Sequence, residues 1–365
     1  MPSRDGLQAG AGDAQVADHA AEQGLGPVTF PLRSEDGDTK WNIGLRVPVG
    51  PRMTGSTIQA VRFDHYGEVD VLHVVDVPRP HPGPGRIVVD VQAAAINPGE
   101  ASIRRGLLDA LWPATFPSGQ GSDLAGVVAE IGEGVNGVAV GDAVIGWSDE
   151  RSSQAEAVSL PADHVVPKPS GVSWEPAGSL YVAGTTAWAT VKSVGLERGE
   201  VVAVSGAAGG VGSIAIQLAR RSGATVLGIA GAGNSEWLQS MGVTAVTYGD
   251  GLGERLRAAA GGGIDAFIDC FGGGYVDLAV DELGVEPDRV DTIIDRESGE
   301  RHGTHVDGMA TVDDVGRVIE ELASLIDQEE LVVPIAATFP LRDVRSAFEL
   351  LAQRHTRGKI VLVTG

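Results

Sequence analysis

The run Ser205-Gly206-Ala207-Ala208-Gly209-Gly210-Val211-Gly212 has the residue types and spacing of a phosphate cradle. It follows an apolar stretch at 201–204 and precedes a segment with apolar residues at Ile214, Ile216, Leu218 and Ala219. Strand, glycine turn and helix in that order make a mononucleotide-binding unit. Gly209 lets backbone approach a pyrophosphate, and Gly212 lets helix and strand pack closely. The first N–H groups of the helix lack partners and favour an anion. The spacing is that of G-x-G-x-x-G with Ala207 in the first position.

A second apolar run, 225–230, ends in Gly231-Ala232-Gly233-Asn234-Ser235, with no acid before Glu236. An acidic residue at this place holds a ribose 2′-hydroxyl and repels a 2′-phosphate. Its absence favours NADP over NAD. No Lys or Arg lies in the same stretch, so Asn234, Ser235 and Tyr248 are the hydrogen-bonding groups on offer. Glu100 and Asp123 are read as surface or structural hydrogen-bonding groups, and Cys270 as a small core residue. His302 and His305 fall among charged residues and Gly, in what reads as a surface loop without metal.

The elements that must position these groups change character along the chain. Short apolar runs at 58–63, 71–75, 87–91, 127–131 and 143–145 are separated by Pro and Gly, which describes a β-rich unit. After Glu175 apolar strands alternate with helical segments, the βαβ pattern of a parallel sheet. Helices are expected near 312–326 and 343–354, and a closing strand at 360–363. Residues 1–52 lack periodicity and read as a disordered extension, with Met53 as a possible true start.

Length and composition bound the function. At 365 residues the chain suits two domains of roughly 150 residues each. Its net charge of −22 opposes binding to nucleic acid or anionic lipid. One cysteine excludes an intrachain disulfide and a cysteine-based zinc cluster. No apolar run approaches the ~20 residues of a membrane span, and the chain reads as cytoplasmic.

Several segments, in order, resemble the zinc-free medium-chain dehydrogenase/reductases of the quinone oxidoreductase, zeta-crystallin-like branch. They are Pro82-Gly83-Pro84-Gly85, Ala95-Ile96-Asn97-Pro98-Gly99-Glu100, Gly121-Ser122-Asp123-Leu124-Ala125-Gly126, Val140-Gly141-Asp142, Gly184-Thr185-Thr186-Ala187-Trp188, the cradle, and Arg357-Gly358-Lys359-Ile360. The resemblance spans about 58–365. It implies an α/β fold: a GroES-like β-rich catalytic domain over 53–177 and 312–365, and a doubly wound Rossmann domain over 178–311. It further implies an NADPH-dependent reductase acting on a quinone or α,β-unsaturated carbonyl, as a homodimer. Asn97 and Thr186 would line the nicotinamide and substrate cleft and stabilise an oxyanion, with Tyr181 a candidate acid. Ala208, Gly209, Gly210 and Val211 would contact the pyrophosphate. Gly231, Asn234, Ser235 and Tyr248 would take the adenosine side, with Cys270 and Phe271 near adenine and ribose. Ser235 stands where some relatives carry a Lys for the 2′-phosphate. Where zinc relatives have Gly-His-Glu this chain has Gly121-Ser122-Asp123, so no metal is expected. Trp112 either walls the substrate pocket or covers the core.

Other readings have different consequences. An enoyl-thioester reductase or tailoring enzyme of polyketide-like metabolism is the neighbouring one; a phosphopantetheine substrate prefers a basic mouth, and the chain is acidic. A non-catalytic scaffold would bind NADPH without turnover. A single-stranded nucleic-acid binder is opposed by the charge.

Overall fold

A computed structural model of the chain describes residues 56–364 and, as backbone, two antiparallel strands at Thr29–Arg33 and Thr39–Ile43. The rest of the extension expected over 1–52 lies outside the described residues.

The Pro- and Gly-punctuated first half builds mostly antiparallel sheets. Thr57–Phe63 lies between His73–Pro78 and Ser118–Gly119. A larger sheet of seven strands runs Val165–Pro167, Ala143–Trp147, Asp123–Ile131, Arg86–Ala95, Lys359–Val363, Ile335–Pro340, with Ala157–Pro161 also paired to Arg86–Ala95. The end of the chain therefore completes a sheet begun 270 residues earlier in sequence, through Leu362 opposite Ala94. Ile87, Val89, Val91, Leu124, Val128 and Leu160 close one core between these strands.

The second half forms a five-stranded parallel sheet ordered Thr244–Thr247, Thr225–Ala230, Val201–Val204, Ala266–Asp269, Val290–Thr292. The order in which strands are added reverses between Val201–Val204 and Ala266–Asp269, and in open parallel sheets the ligand crevice lies at that point, beyond the strand ends. Gly206 and Cys270 meet there: a side chain on Gly206 would approach the Cys270 carbonyl oxygen at 3.3 Å.

Helix Val315–Asp327 begins three residues later than the sequence pattern suggests, because the Asp314 carboxylate caps it through the Arg317 N–H. Its apolar face (Val318, Ile319, Leu322, Ala323) packs in one cluster with Ile145, Trp147 and Val166 of the large sheet, with Val202 of the parallel one, and with Ile214 and Ile216 of the helix Gly212–Arg221. It straddles the two sheets. His302 ends a helix, Arg296–His302, where the sequence suggested a loop, because Asp295 caps that helix at the Ser298 N–H.

Candidate active site

The cradle is tied directly to the last strand. The Gly358 N–H donates to the Ala208 carbonyl at 2.8 Å, and Gly209 and Gly358 form a parallel bridge. Only glycine fits at 358: its φ is +81°, and a Cβ would lie 1.9 Å from the Pro334 oxygen. Gly212 likewise has no room, with a Cβ 2.2 Å from the Gly206 oxygen, so helix Gly212–Arg221 starts hard against the turn. Gly210 passes over the Lys359 side chain, whose Cδ would sit 2.9 Å from an added Cβ.

Beneath that crossing lies a buried polar network. Asn97 opens helix Pro98–Arg104 and shares a capping box with Glu100, three residues on. The Asn97 amide donates to Asp123 Oδ2 at 2.6 Å and to Glu100 Oε1 at 2.9 Å, while its oxygen accepts from Lys359 Nζ at 2.6 Å. Carboxylates on one side and an ammonium on the other fix which way the amide points. Gln154 donates to Glu100 at 2.9 Å, and the Val182 N–H donates to Asp123 at 3.0 Å. Lys359 also donates to the Ile96 carbonyl at 3.2 Å.

All four central residues are at most 5% exposed. Two carboxylates against one ammonium leave a net negative charge that a low-dielectric site resists. Burial, with the neighbouring Asp123 charge adding to it, pushes Glu100 up to about 7 against the pull of Asn97 and Lys359. Burial also raises Asp123 and lowers Lys359, each opposed by the other's charge. A proton held on Glu100 brings the set to neutrality.

The residues expected at the reacting end are placed differently from their expected roles. Asn97 was offered as a donor to a developing oxyanion; both of its amide protons are committed to carboxylates, so as placed it has none to give. Thr186, 7% exposed, donates its hydroxyl proton to the Val182 carbonyl at 2.5 Å and keeps only acceptor capacity. Tyr181 stacks on Trp147 with centroids 5.7 Å apart and donates to exposed Asp149 at 3.2 Å. Burial first, then the Asp149 charge, push its phenol upward, away from easy proton release. Glu100 and Asp123 are buried and make structural hydrogen bonds, the second of the two roles expected of them. Trp112 is exposed and does not cover the core.

At the other end of the crevice Gly231 faces exposed Tyr248, whose hydroxyl would be 3.4 Å from an added Cβ. Asn234 and Ser235 open helix Ser235–Ser240. Cys270 is half-buried beside Ser205, which accepts its N–H at 2.9 Å, and half-exposed Phe271 carries the Arg354 guanidinium 4.7 Å over its ring. The residue that reading from sequence missed here is Arg357: its Nε donates to Asn234 Oδ1 at 2.9 Å. Lys359 was missed at the first end. Both stand in the Arg357-Gly358-Lys359 run, more than 100 residues from their partners, and only the strand pairing brings them there.

The donor set does not fit zinc. The chain has one cysteine, and burial pushes the Cys270 thiol well above the ordinary range, the opposite of a zinc thiolate. Asp123 is committed to Asn97 and the Val182 amide. Among the described residues, Asp277, Asp281 and His302 come within 4.8 Å of one another, but His302 Nε2 is 2.8 Å from Asp277, which also pairs with Arg301.

Residues 83–170 match the family described as an alcohol dehydrogenase GroES-like domain, and 241–362 that described as a zinc-binding dehydrogenase. The chain is 31% identical over 231 residues to a chloroplast envelope quinone oxidoreductase homolog of Arabidopsis thaliana, covering 60% of this chain and 70% of that protein. It is 27% identical over 331 residues to quinone oxidoreductase 1 of Escherichia coli (strain K12), covering 83% and 98%. The solved Escherichia coli quinone oxidoreductase complexed with NADPH matches with a TM-score of 0.73 and 25% identity, over 84% of this chain and 99% of that one. The fold is α/β, a GroES-like unit joined to a Rossmann parallel sheet. The chain belongs to the medium-chain dehydrogenase/reductase family, in its quinone oxidoreductase branch.

Proposed function

We propose that the chain is an NADPH-dependent reductase that transfers hydride to a quinone or α,β-unsaturated carbonyl without a metal. The observation that carries this reading is the switch-point crevice, where the glycine turn 206–212 is locked to the last strand through Gly358. The fit is steric: backbone at Gly210 and Gly212 comes as close to its neighbours as a dinucleotide cradle requires. Ala208, Gly209, Gly210 and Val211 would hold the pyrophosphate. Gly231, Asn234, Ser235 and Tyr248 would hold the adenosine side, with Cys270 and Phe271 beside it. NADPH bound there supplies the hydride.

The chain's own part is orientation and charge. Asn97, held on both sides, and Thr186 line the reacting end and fix its shape. Lys359 places a positive charge beneath Asn97. With Tyr181 donating to Asp149 and its phenol shifted upward, solvent is the proton source for the reduced acceptor. We assign 53–177 with 312–365 to the catalytic domain and 178–311 to the cofactor domain, in a cytoplasmic homodimer. What supports the dimer is the outer strand Val290–Thr292, whose far side is met by the single bridge Asp291–His305. Among the described residues no helix is long and apolar enough to cross a membrane.

A second reading, reduction of an enoyl thioester, is favoured by similarity to the Streptomyces orinoci polyketide synthase protein NorB, 32% identical over 295 residues covering 13% of that protein. The test is NADPH oxidation by the full chain against quinones, enones and an enoyl thioester. Turnover of quinones or enones supports the lead reading; turnover of the thioester alone supports the second. NADPH binding without any turnover points to a scaffold and contradicts both.

A further inference from the structure

We propose that Arg357, in the turn just before the chain's last strand, is the cation that receives the adenosine 2′-phosphate and so sets the preference for a phosphorylated cofactor. This rests on the NADPH reading above. That reading leaves a gap: the 231–235 loop has neither the acid that holds a 2′-hydroxyl nor a base that grips a phosphate. Arg357 fills it from outside the loop. Its Nε donates to Asn234 Oδ1 at 2.9 Å, its Nη2 to the Gly233 carbonyl at 3.4 Å, and its guanidinium carbon lies 5.4 Å from the Trp237 ring centroid. All three partners belong to the turn and helix after the second parallel strand, where adenosine ribose sits in this fold.

The electrostatic setting sharpens the assignment. Several arginines on this acidic surface are neutralised: Arg296 by Glu300, Arg289 by Glu200, Arg317 by Glu321, Arg221 by Glu330. Among the described residues no carboxylate lies within 4.0 Å of Arg357. Two of the five guanidinium donors are used by Asn234 and Gly233, and the others remain for an anion. Arg357 also lines a cavity of about 730 Å³ together with Gly233, Asn234, Trp237, His355 and Thr356, which is space enough for a phosphorylated ribose. The Asn234 bond and the indole face hold the fork in one orientation before any ligand arrives, which lowers the ordering cost of binding.

A merely structural Arg357, tying the loop to the last strand, would help any adenosine ligand equally. The experiment therefore compares adenosine 2′,5′-bisphosphate with 5′-AMP by calorimetry on the full chain. Neither probe carries nicotinamide, so no turnover is read. The wild-type chain should bind the bisphosphate more tightly. Arg357→Ala should weaken the bisphosphate by about 10- to 100-fold, the range for hydrogen bonds to charged groups, and 5′-AMP by less than about twofold. Arg357→Lys keeps the charge but loses the fork, and should recover part of the loss. Equal weakening of both ligands overturns the proposal, as does a bisphosphate preference that survives Arg357→Ala while the NADPH reading stands. A wild-type chain with no preference removes the NADPH reading and this proposal together.

Discussion

Lys359 opens the last strand and Arg357 stands two residues before it, and both are cations, yet they end in opposite situations. Lys359 is 3% exposed, and its ammonium is spent on Asn97 and the Ile96 carbonyl in a network with two carboxylates. Arg357 is exposed, bonded to neutral groups only, and flanked by a cavity. The two side chains reach different partners, Asn97 and Asn234, with Gly358 between them locked onto the cradle. Burial decides what each cation can do: one is committed to holding the site together, the other stays available to a ligand.

Breaking the buried side should have the largest effect. Lys359→Met leaves Asp123 and Glu100 buried without a counter-charge and should cost about 3–5 kcal/mol in urea unfolding near neutral pH. Arg357→Ala should change the same unfolding free energy by less than about 0.5 kcal/mol. Comparable losses for the two would erase the distinction. Gly358→Ala tests the lock between them: the 1.9 Å approach of the new Cβ to the Pro334 oxygen and the φ of +81° predict a loss of about 2–4 kcal/mol, with weakened NADPH binding.

A smaller effect concerns protons. The native Glu100 carboxyl holds its proton up to about pH 7, whereas the unfolded chain releases it near the ordinary 4.5. Between those values the native state binds more protons, so stability falls as pH rises, and the full deficit is present above about 7. Glu100→Gln cannot titrate. Relative to it, the wild type should lose up to about 3 kcal/mol between about pH 5 and pH 8, read by denaturant unfolding at both. A flat difference across that range would mean Glu100 ionises freely.

A small effect is also expected at Tyr181→Phe. Its hydroxyl bond ends on an exposed carboxylate, so stability should change by less than about 1 kcal/mol and kcat by less than about threefold. A large fall in kcat would restore Tyr181 as the proton donor.

What the sequence made legible follows the range of the signal. The strand, turn and helix of the cradle are contiguous, and their pattern alone located Gly209, Gly210 and Gly212. The missing acid at 231–235 was equally local. Lys359 and Arg357 were not legible, because their partners lie 262 and 123 residues away and periodicity carries no distance. Asn97 was found by resemblance; residue type says an amide can donate, and only geometry says both protons are bonded to carboxylates here. The shifted start of helix Val315–Asp327 and the unforeseen helix Arg296–His302 reflect caps at Asp314 and Asp295 that single residues decide.

The most direct test of the account is the ratio of kcat/KM for NADPH over NADH with one quinone acceptor, measured on the full chain with and without a metal chelator. The account predicts a ratio above about 10, the low end of one charge-assisted phosphate contact, unchanged by chelation. Equal use of both cofactors, or activity lost to the chelator, would contradict it.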